Sequence, residues 1–294
     1  RTINVGPSMD TLHFQGPRFR NEWRYQDHSG TTEGTLLDTQ HYGISEKFSV
    51  VLDGGPGTTA KPGDYLYSNG DARRTRDGAW GIVRVLDGSD TTLQPLPGMD
   101  PVGVATTHTV TGAAPPATPP PVTPDPSVCP TGAPLRTFSI SAVDLPAGNG
   151  TGRAAYVATK DAAAVKAGSL KPPPLVLHVA AGDCVQVAFT NDRAPAVDPL
   201  TGLPLGTPRA SFAVGELLHA ASASGINVGW TSEQTAGPGG GTASYRYYAD
   251  TDQIGTAVVS DFGADDVNGT KAGLYGAVVV SPTGATFIDP VSRL

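Results

Sequence analysis

The sequence has few charged residues and no long apolar stretch. Charged residues make up 16% of its 294 positions, and no apolar run approaches the length of a membrane-spanning helix. The formal net charge of −7 argues against nucleic acid as a partner, because phosphate binding requires clustered Lys and Arg. The basic run at 73–76 is interpreted as a solvated loop. The composition therefore predicts no membrane span and no nucleic-acid partner.

Cysteine is also scarce, and both residues, Cys129 and Cys184, lie beside strand-like runs. Two buried free thiols would be the default in a cytosolic protein. The rest of the chain, with aliphatic strands, Gly/Pro turns and few lysines, is instead typical of a secreted protein. We therefore predict one disulfide between the two cysteines and an extracellular or periplasmic location. No N-terminal apolar segment is seen, so we expect any signal peptide to have been removed.

Glycine and proline, by contrast, are abundant, with 37 and 27 residues between short runs of Val, Thr and Ala. Such runs, separated by turn-forming residues, favour many short strands and an all-β chain. Seven of the thirteen residues at 114–126 are Pro, which is typical of a semi-rigid spacer. We predict domains at 1–98 and 135–294, a linker at 99–134, and one short helix within 160–170.

The second strand series contains a set of ordered landmarks. Ala-Gly-Asp at 181–183 precedes a strand that ends at Asn191, and a Pro-Gly turn precedes a Tyr-x-Tyr strand at 245–247. Gly-Thr then opens a strand at 255, and Gly-x-x-Gly-Ala-x-x-Val follows at 273–280. This order resembles a cupredoxin domain of the multicopper oxidase family.

In that family, two His-x-His pairs on adjacent strands bind a trinuclear copper cluster, since period-2 alternation points both imidazoles of a pair to one face. The pairs align here with Phe212-Ala213-Val214 and with Ser260-Asp261-Phe262. All four ligands are absent. The resemblance therefore implies a cupredoxin domain without copper.

The first strand series resembles the copper-bearing last domain of the same family. There, a His-x-x-His-x-His-Gly element and a His-Cys-His-x-x-x-His-x-x-x-x-Met run supply the ligands. Gly16 and Gly78 stand where the family also has Gly. The eight ligand positions align with Asp10, His13, Gln15, Ser68, Asn69, Gly70, Arg74 and Ala79.

Of these positions, His13 alone keeps a metal-ligand side chain, and it is our single candidate metal ligand. A hydrogen-bonded structural histidine is the alternative for it, and His28 and His41 are interpreted as solvated. Without a Cys thiolate at position 69, a blue copper site cannot form. We therefore expect no catalytic residue and no cofactor in this chain. Any copper would be bound by partner domains.

The resemblance implies a Greek-key β-sandwich, cupredoxin-like, with 1–98 forming only the C-terminal half of one domain and 135–294 a complete one. Half a sandwich exposes unpaired edges. We therefore expect another chain, or a processed portion of the same precursor, to complete 1–98, beside other cupredoxin domains. An unrelated β-sandwich and a self-complete minimal first domain are the alternatives.

Two functions are compatible with these observations. In the first, the chain is a copper-depleted portion of a secreted multicopper-oxidase-like protein with a structural or assembly role. In the second, it belongs to an active oxidase of phenols or metal ions such as Mn or Fe, whose coppers lie in other domains or a partner chain. The sequence leaves enzymatic activity open.

Overall fold

The structure is a computed structural model that describes residues 2–21, 37–48, 50–53, 62–71, 74–75, 77–86, 126–146, 153–195, 209–229, 231, 233–251, 253–263 and 272–286. Most of these residues lie in strands or the turns between them, so the all-β prediction is confirmed. No helix among them is long and apolar enough to cross a membrane. The chain divides into two compact units, and the first (Arg1–Pro121) also includes Ala220–Ser222 and Val228–Glu233.

The described residues of the first unit form three small antiparallel sheets. The largest has the strand order β4-β2-β7-β8, and β1-β5 and β3-β6 form two-stranded sheets. The strands β7 and β8 form a hairpin, with Gly63 opposite Val85 and Ser68 opposite Trp80. The strands are β1 (Thr2–Ile3), β2 (Asp10–Phe14), β3 (Arg18–Asn21), β4 (Thr39–Tyr42), β5 (Lys47–Phe48), β6 (Val50–Asp53), β7 (Gly63–Ser68) and β8 (Trp80–Val85).

In the second unit, the strands that the structure describes form two four-stranded sheets, with orders β10-β9-β12-β14 and β11-β16-β15-β13. Most neighbours are antiparallel, but β12 runs parallel to β9 and β11 runs parallel to β16. A short helix, α1, spans Ala162–Lys166 inside the predicted 160–170 segment. The strands are β9 (Leu135–Asp144), β10 (Ala154–Ala158), β11 (Leu175–Ala180), β12 (Cys184–Asn191), β13 (Ala213–Val214), β14 (Gly241–Tyr248), β15 (Gly255–Ser260) and β16 (Tyr275–Ser281).

One hydrophobic core is shared by these two sheets. On β12, Val185, Val187 and Phe189 are buried, whereas the residues between them are more exposed, as the period-2 pattern of a strand requires. The core also includes side chains of the other sheet, among them Val259 and Val278. Its centre is aromatic, with edge-to-face and tilted contacts among Tyr156, Phe189, Phe212 and Tyr245.

The predicted disulfide is present, joining Cys129 to Cys184 across 55 positions of sequence. It ties the segment before β9 to the first residue of β12. Residues 99–125 of the predicted linker lie outside the described residues. The Greek-key connectivity, the domain boundaries and the partial nature of 1–98 remain predictions.

Candidate functional site

Strand β2 and the β7–β8 hairpin bring together the positions at which the resemblance expects metal ligands. His13 on β2 pairs with Ser68 at the end of β7. The chain then leaves the sheet, and Thr11 lies so close to Gly70 that a Cβ there would be 2.8 Å from the threonine Cγ2. This close approach favours glycine at position 70 and holds the loop against β2.

The loop between β7 and β8 is shaped by its own hydrogen bonds. The backbone N–H of Asn69 donates to the carbonyl of Ala79 (2.9 Å), and the N–H of Ala79 donates to the carbonyl of Arg74 (2.9 Å). The Asn69 side-chain oxygen accepts the N–H of Asp71 at 2.8 Å, which is an Asx turn. These bonds bring positions 69, 74 and 79 to one end of the sheet.

Three of the expected ligand positions meet in one polar cluster. The Asn69 amide donates to Asp10 Oδ1, and the Arg74 guanidinium lies 3.3 Å from the same oxygen. Arg74 also donates to the hydroxyl of Ser8. The Arg74 and Asp10 side chains are 39% and 27% exposed, so this ion pair contributes only about 0–1 kcal/mol. We call Ser8, Asp10, Asn69 and Arg74 the polar cluster.

His13, the candidate metal ligand, has both ring nitrogens engaged. Its Nδ1 lies 2.7 Å from the hydroxyl of Thr39, and its Nε2 lies 3.0 Å from Gln15 Oε1. The Thr39 hydroxyl also donates to Asp38 Oδ1 at 2.8 Å. To bind a metal, His13 Nε2 would have to give up its contact with Gln15.

In the second unit, the two other expected ligand segments also lie side by side. Ala213 pairs with Ser260 and Val214 with Val259, at the edge of the β11-β16-β15-β13 sheet. Phe212 and Val214 stand where one His-x-His pair is expected, and both are fully buried in the hydrophobic core. Hydrocarbon side chains therefore occupy that pair of positions.

Asp261, in the other expected segment, is buried and binds backbone. Its Oδ1 accepts the N–H of Ser211 (2.8 Å) and of Gly263 (3.0 Å), and the Ser211 hydroxyl accepts the N–H of Phe262 at 2.9 Å. These bonds connect the end of β15 to the residue before Phe212. The carboxylate is thus occupied in holding two segments together.

Two buried tyrosines support the same segment from the opposite sheet. The hydroxyls of Tyr156 and Tyr247 donate to the carbonyls of Ser211 and Phe212, at 2.5 Å each. Burial raises the pKa of both tyrosines well above the ordinary value of 10.0, and the charge of Asp261 raises that of Tyr156 further. Both hydroxyls are therefore neutral donors at physiological pH.

The donor atoms at these positions do not suit copper. Blue copper sites use a thiolate and two imidazoles, and trinuclear clusters use imidazoles. The polar cluster instead offers a carboxylate, an amide and a guanidinium, and a guanidinium has no lone pair and carries a positive charge. Within the described ranges, no three His, Cys, Asp or Glu side chains are grouped so that they could hold a metal ion.

Several residues of the two sites are not apparent from the sequence. Ser8, Asp38 and Thr39 have no motif of their own, and each acts through a partner that only the fold brings close. The backbone-binding roles of Asp261 and Tyr156 are of the same kind. The one available signal of such a role is a side chain with a polar group in a strand that is expected to be buried. Tyr245 and Tyr247, in the "YRYY" run of β14, give this signal.

No protein-family model and no curated protein matches this chain. Solved structures that are similar to it include one described as a multicopper oxidase, at 22% identity and a TM-score of 0.35, covering 53% of this chain and 45% of that one. Another is the blue copper oxidase from Nitrosomonas europaea, at 18% identity and a TM-score of 0.33, covering 54% and 42%. The chain spans less than half the length of these structures. Similarity at this level assigns it neither a family nor an activity.

Proposed function

We propose that this chain is a portion of a secreted multicopper-oxidase-like protein, extracellular or periplasmic, whose cupredoxin-like regions lack copper and have a structural or assembly role. The observation that carries the proposal is the convergence of Asp10, Asn69 and Arg74. Asn69 and Arg74 lie 59 and 64 positions after Asp10 in sequence, yet both contact its Oδ1. The spacing of the family's ligand motifs is kept, and the ligands are replaced.

The replacements are suited to holding the strands together. An acid, an amide and a guanidinium satisfy one another by hydrogen bonding, whereas the positions of a metal site need unoccupied lone pairs. The second unit is similar in this respect. Phe212 and Val214 pack in its core, and Asp261 accepts hydrogen bonds from backbone N–H groups. In both units, packing and hydrogen bonds occupy the positions where the resemblance expects imidazoles.

Metal analysis and oxidase assays on the purified chain test this proposal. After incubation with Cu(II) and removal of excess metal, we expect no stoichiometric copper, no blue absorption, and no dioxygen consumption with phenols, Mn(II) or Fe(II). Blue absorption or turnover by the isolated chain would contradict the proposal. Turnover only in the complete natural assembly would favour the alternative function, in which the coppers lie in other domains.

The proposed assembly role includes a partner for the first unit, either another chain or a processed portion of the same precursor. Among the described strands, β8 pairs with β7 on one side only, and its Trp80 and Ile82 side chains are exposed. An open strand edge with apolar side chains readily accepts another strand. We therefore propose strand addition that completes a sandwich in this region, next to further cupredoxin domains.

A further inference from the structure

A cleft opens at one edge of the second unit, between its two sheets. The strand β10 pairs with β9 only from Ile140 to Asp144, so the segment 135–139 has no described strand on that side. In the other sheet, β11 is the edge strand. The cleft between these two edges has a volume of about 560 Å³, within the range of roughly 300–1,000 Å³ that is typical of small-molecule sites.

A hydrogen-bonded turn borders the cleft at one end. The N–H of Asp183 donates to the carbonyl of Ala180 at 3.0 Å, and the N–H of Ala181 donates to the carbonyl of Ser281 at 2.8 Å. The Thr283 hydroxyl donates to the carbonyl of Ala181, also at 2.8 Å. These bonds fix the turn against the end of β16, so the cleft is preformed.

Arg136 lies in the cleft with a defined orientation. It is in register with Val185 of β12, whose side chain is buried, so Arg136 extends from the inward face of its sheet. Its Nε donates to Asp183 Oδ2 at 3.0 Å, and the same oxygen accepts the N–H of Ala180 at 2.8 Å. The Asp183 side chain is only 4% exposed, so this carboxylate is a fixed anchor for the guanidinium.

The outer end of this guanidinium can bind a ligand. The Arg136 side chain is 56% exposed, and its one ion pair among the described residues uses Nε and leaves both Nη groups to solvent. A guanidinium presents its N–H donors in a planar fork that matches the two oxygens of a carboxylate. The anchored Arg136 therefore presents a pair of oriented donors.

The cleft also has apolar walls. Phe138 is on the same inward face of β9 as the guanidinium, because it is in register with the buried Val187. Val179 of the other sheet and Pro282 line the cleft as well. An apolar group placed between these side chains would be removed from water, which favours binding.

Charge restricts the ligand to one class. The formal net charge of −7 disfavours anions in general, but at physiological salt this repulsion is screened beyond about 8 Å, so local contacts decide. Asp183, already bound to Arg136, is the only acid among the residues that line the cleft. Its charge disfavours a doubly charged phosphate more than a singly charged carboxylate.

We propose that this cleft binds a small carboxylic acid with an apolar body. The carboxylate accepts hydrogen bonds from the two Nη groups of Arg136, and the apolar part packs against Phe138 and Val179. This inference goes beyond the proposed structural role, depends on the second unit alone, and is independent of whether the chain binds copper.

NMR titration of the isotope-labelled chain with phenylacetate and with hexanoate, an aromatic and an aliphatic carboxylate, tests the proposal. We expect saturable binding of at least one of them, with a dissociation constant in the millimolar range or below and with amide shifts centred on 135–138 and 179–183. The uncharged amides, phenylacetamide and hexanamide, have the same apolar bodies. They should bind about tenfold more weakly or worse than the carboxylates, because the guanidinium then has no anion to pair with.

A matched pair of variants tests the role of the guanidinium. Arg136→Lys keeps a positive charge beside Asp183 but removes the paired donors, and we expect the dissociation constant to rise about tenfold or more. Arg153, just before β10, is exposed and does not line the cleft, so Arg153→Lys should have no effect. Equal thermal midpoints for the two variants would show that neither has lost its fold.

Several results would overturn the proposal. Neither carboxylate may bind saturably at millimolar concentrations, or the amides may bind as tightly as the carboxylates. An affinity that Arg136→Lys leaves unchanged, or amide shifts confined to residues outside the cleft, would overturn it as well.

Discussion

Replacing Gly229 by Ala should destabilise the first unit through one defined contact. A Cβ at Gly229 would lie 2.0 Å from Oδ2 of Asp64 and 2.7 Å from its Cγ. Asp64 is not free to move aside, because Arg84 holds both of its oxygens, with Nε–Oδ1 at 2.6 Å and Nη2–Oδ2 at 2.9 Å. The Asp64 side chain is only 4% exposed, so water cannot easily replace Arg84.

Two costs determine the magnitude. Gly229 has a φ of +53°, and a left-handed conformation costs a residue with a Cβ about 1–2 kcal/mol. Displacing the carboxylate weakens a charged hydrogen-bonded pair, and such bonds contribute about 1.5–3 kcal/mol. We therefore expect Gly229→Ala to lower the free energy of unfolding by about 2.5–5 kcal/mol.

Urea unfolding followed by circular dichroism measures this change against two controls. Gly78→Ala, in the same unit, has a φ of +104° and no atom within 4 Å of the new Cβ, so it reports backbone strain alone. In an Asp64→Ala background, the cost of Gly229→Ala should fall toward that of Gly78→Ala. A cost of Gly229→Ala that persists in full without the Asp64 carboxylate would refute the reasoning.

Three further predictions concern the disulfide, the tyrosines and the first strand series. The disulfide closes 55 positions, so Cys129→Ser with Cys184→Ser should cost about 4 kcal/mol, and thiol titration of the denatured wild type should find no reactive thiol; two would contradict the bond. Burial raises the pKa of Tyr156 and Tyr247, so their contribution to stability is complete below pH 10.0 and is lost as the pH rises above it. Tyr247→Phe should reduce this alkaline loss of stability in unfolding experiments. An unchanged dependence of stability on pH would argue against the raised pKa. Residues 1–98 alone should aggregate or stay unfolded while 135–283 fold, and a monomeric, cooperatively melting 1–98 would show a misplaced boundary.

The sequence was sufficient to predict the all-β class and several strands of the second unit, because apolar runs and Gly/Pro turns are local signals. The convergence of positions 10, 69 and 74 could be expected only from the spacing of the family's motifs. The hydrogen bonds that the side chains at these positions make could not be predicted from the sequence. Thr39 reaches His13 through the pairing of β4 with β2, and no local pattern specifies which strands pair or in which register.

The inclusion of 220–222 and 228–233 in the first unit was likewise beyond prediction. It accompanies two contacts of β7, between Gly63 and Ala221 and between Asp64 and Gly229. Each contact joins residues that are far apart in sequence. Each also includes a glycine, because a Cβ at that position would collide with the neighbouring residue. The predicted domain of 135–294 treats these segments as part of one continuous domain.

Placing copper ligands in the polar cluster tests most directly whether the first unit has the frame of a copper site. Asp10, Asn69 and Arg74 meet at one oxygen, so Asp10→His with Asn69→Cys and Arg74→His would place two imidazoles and a thiolate together, the donor set of a blue copper site. We expect the triple variant to bind stoichiometric Cu(II) and to turn blue, while Asn69→Cys alone, with the same thiol but without the imidazoles, stays colourless. A folded triple variant with a titratable thiol and no blue absorption would contradict the account.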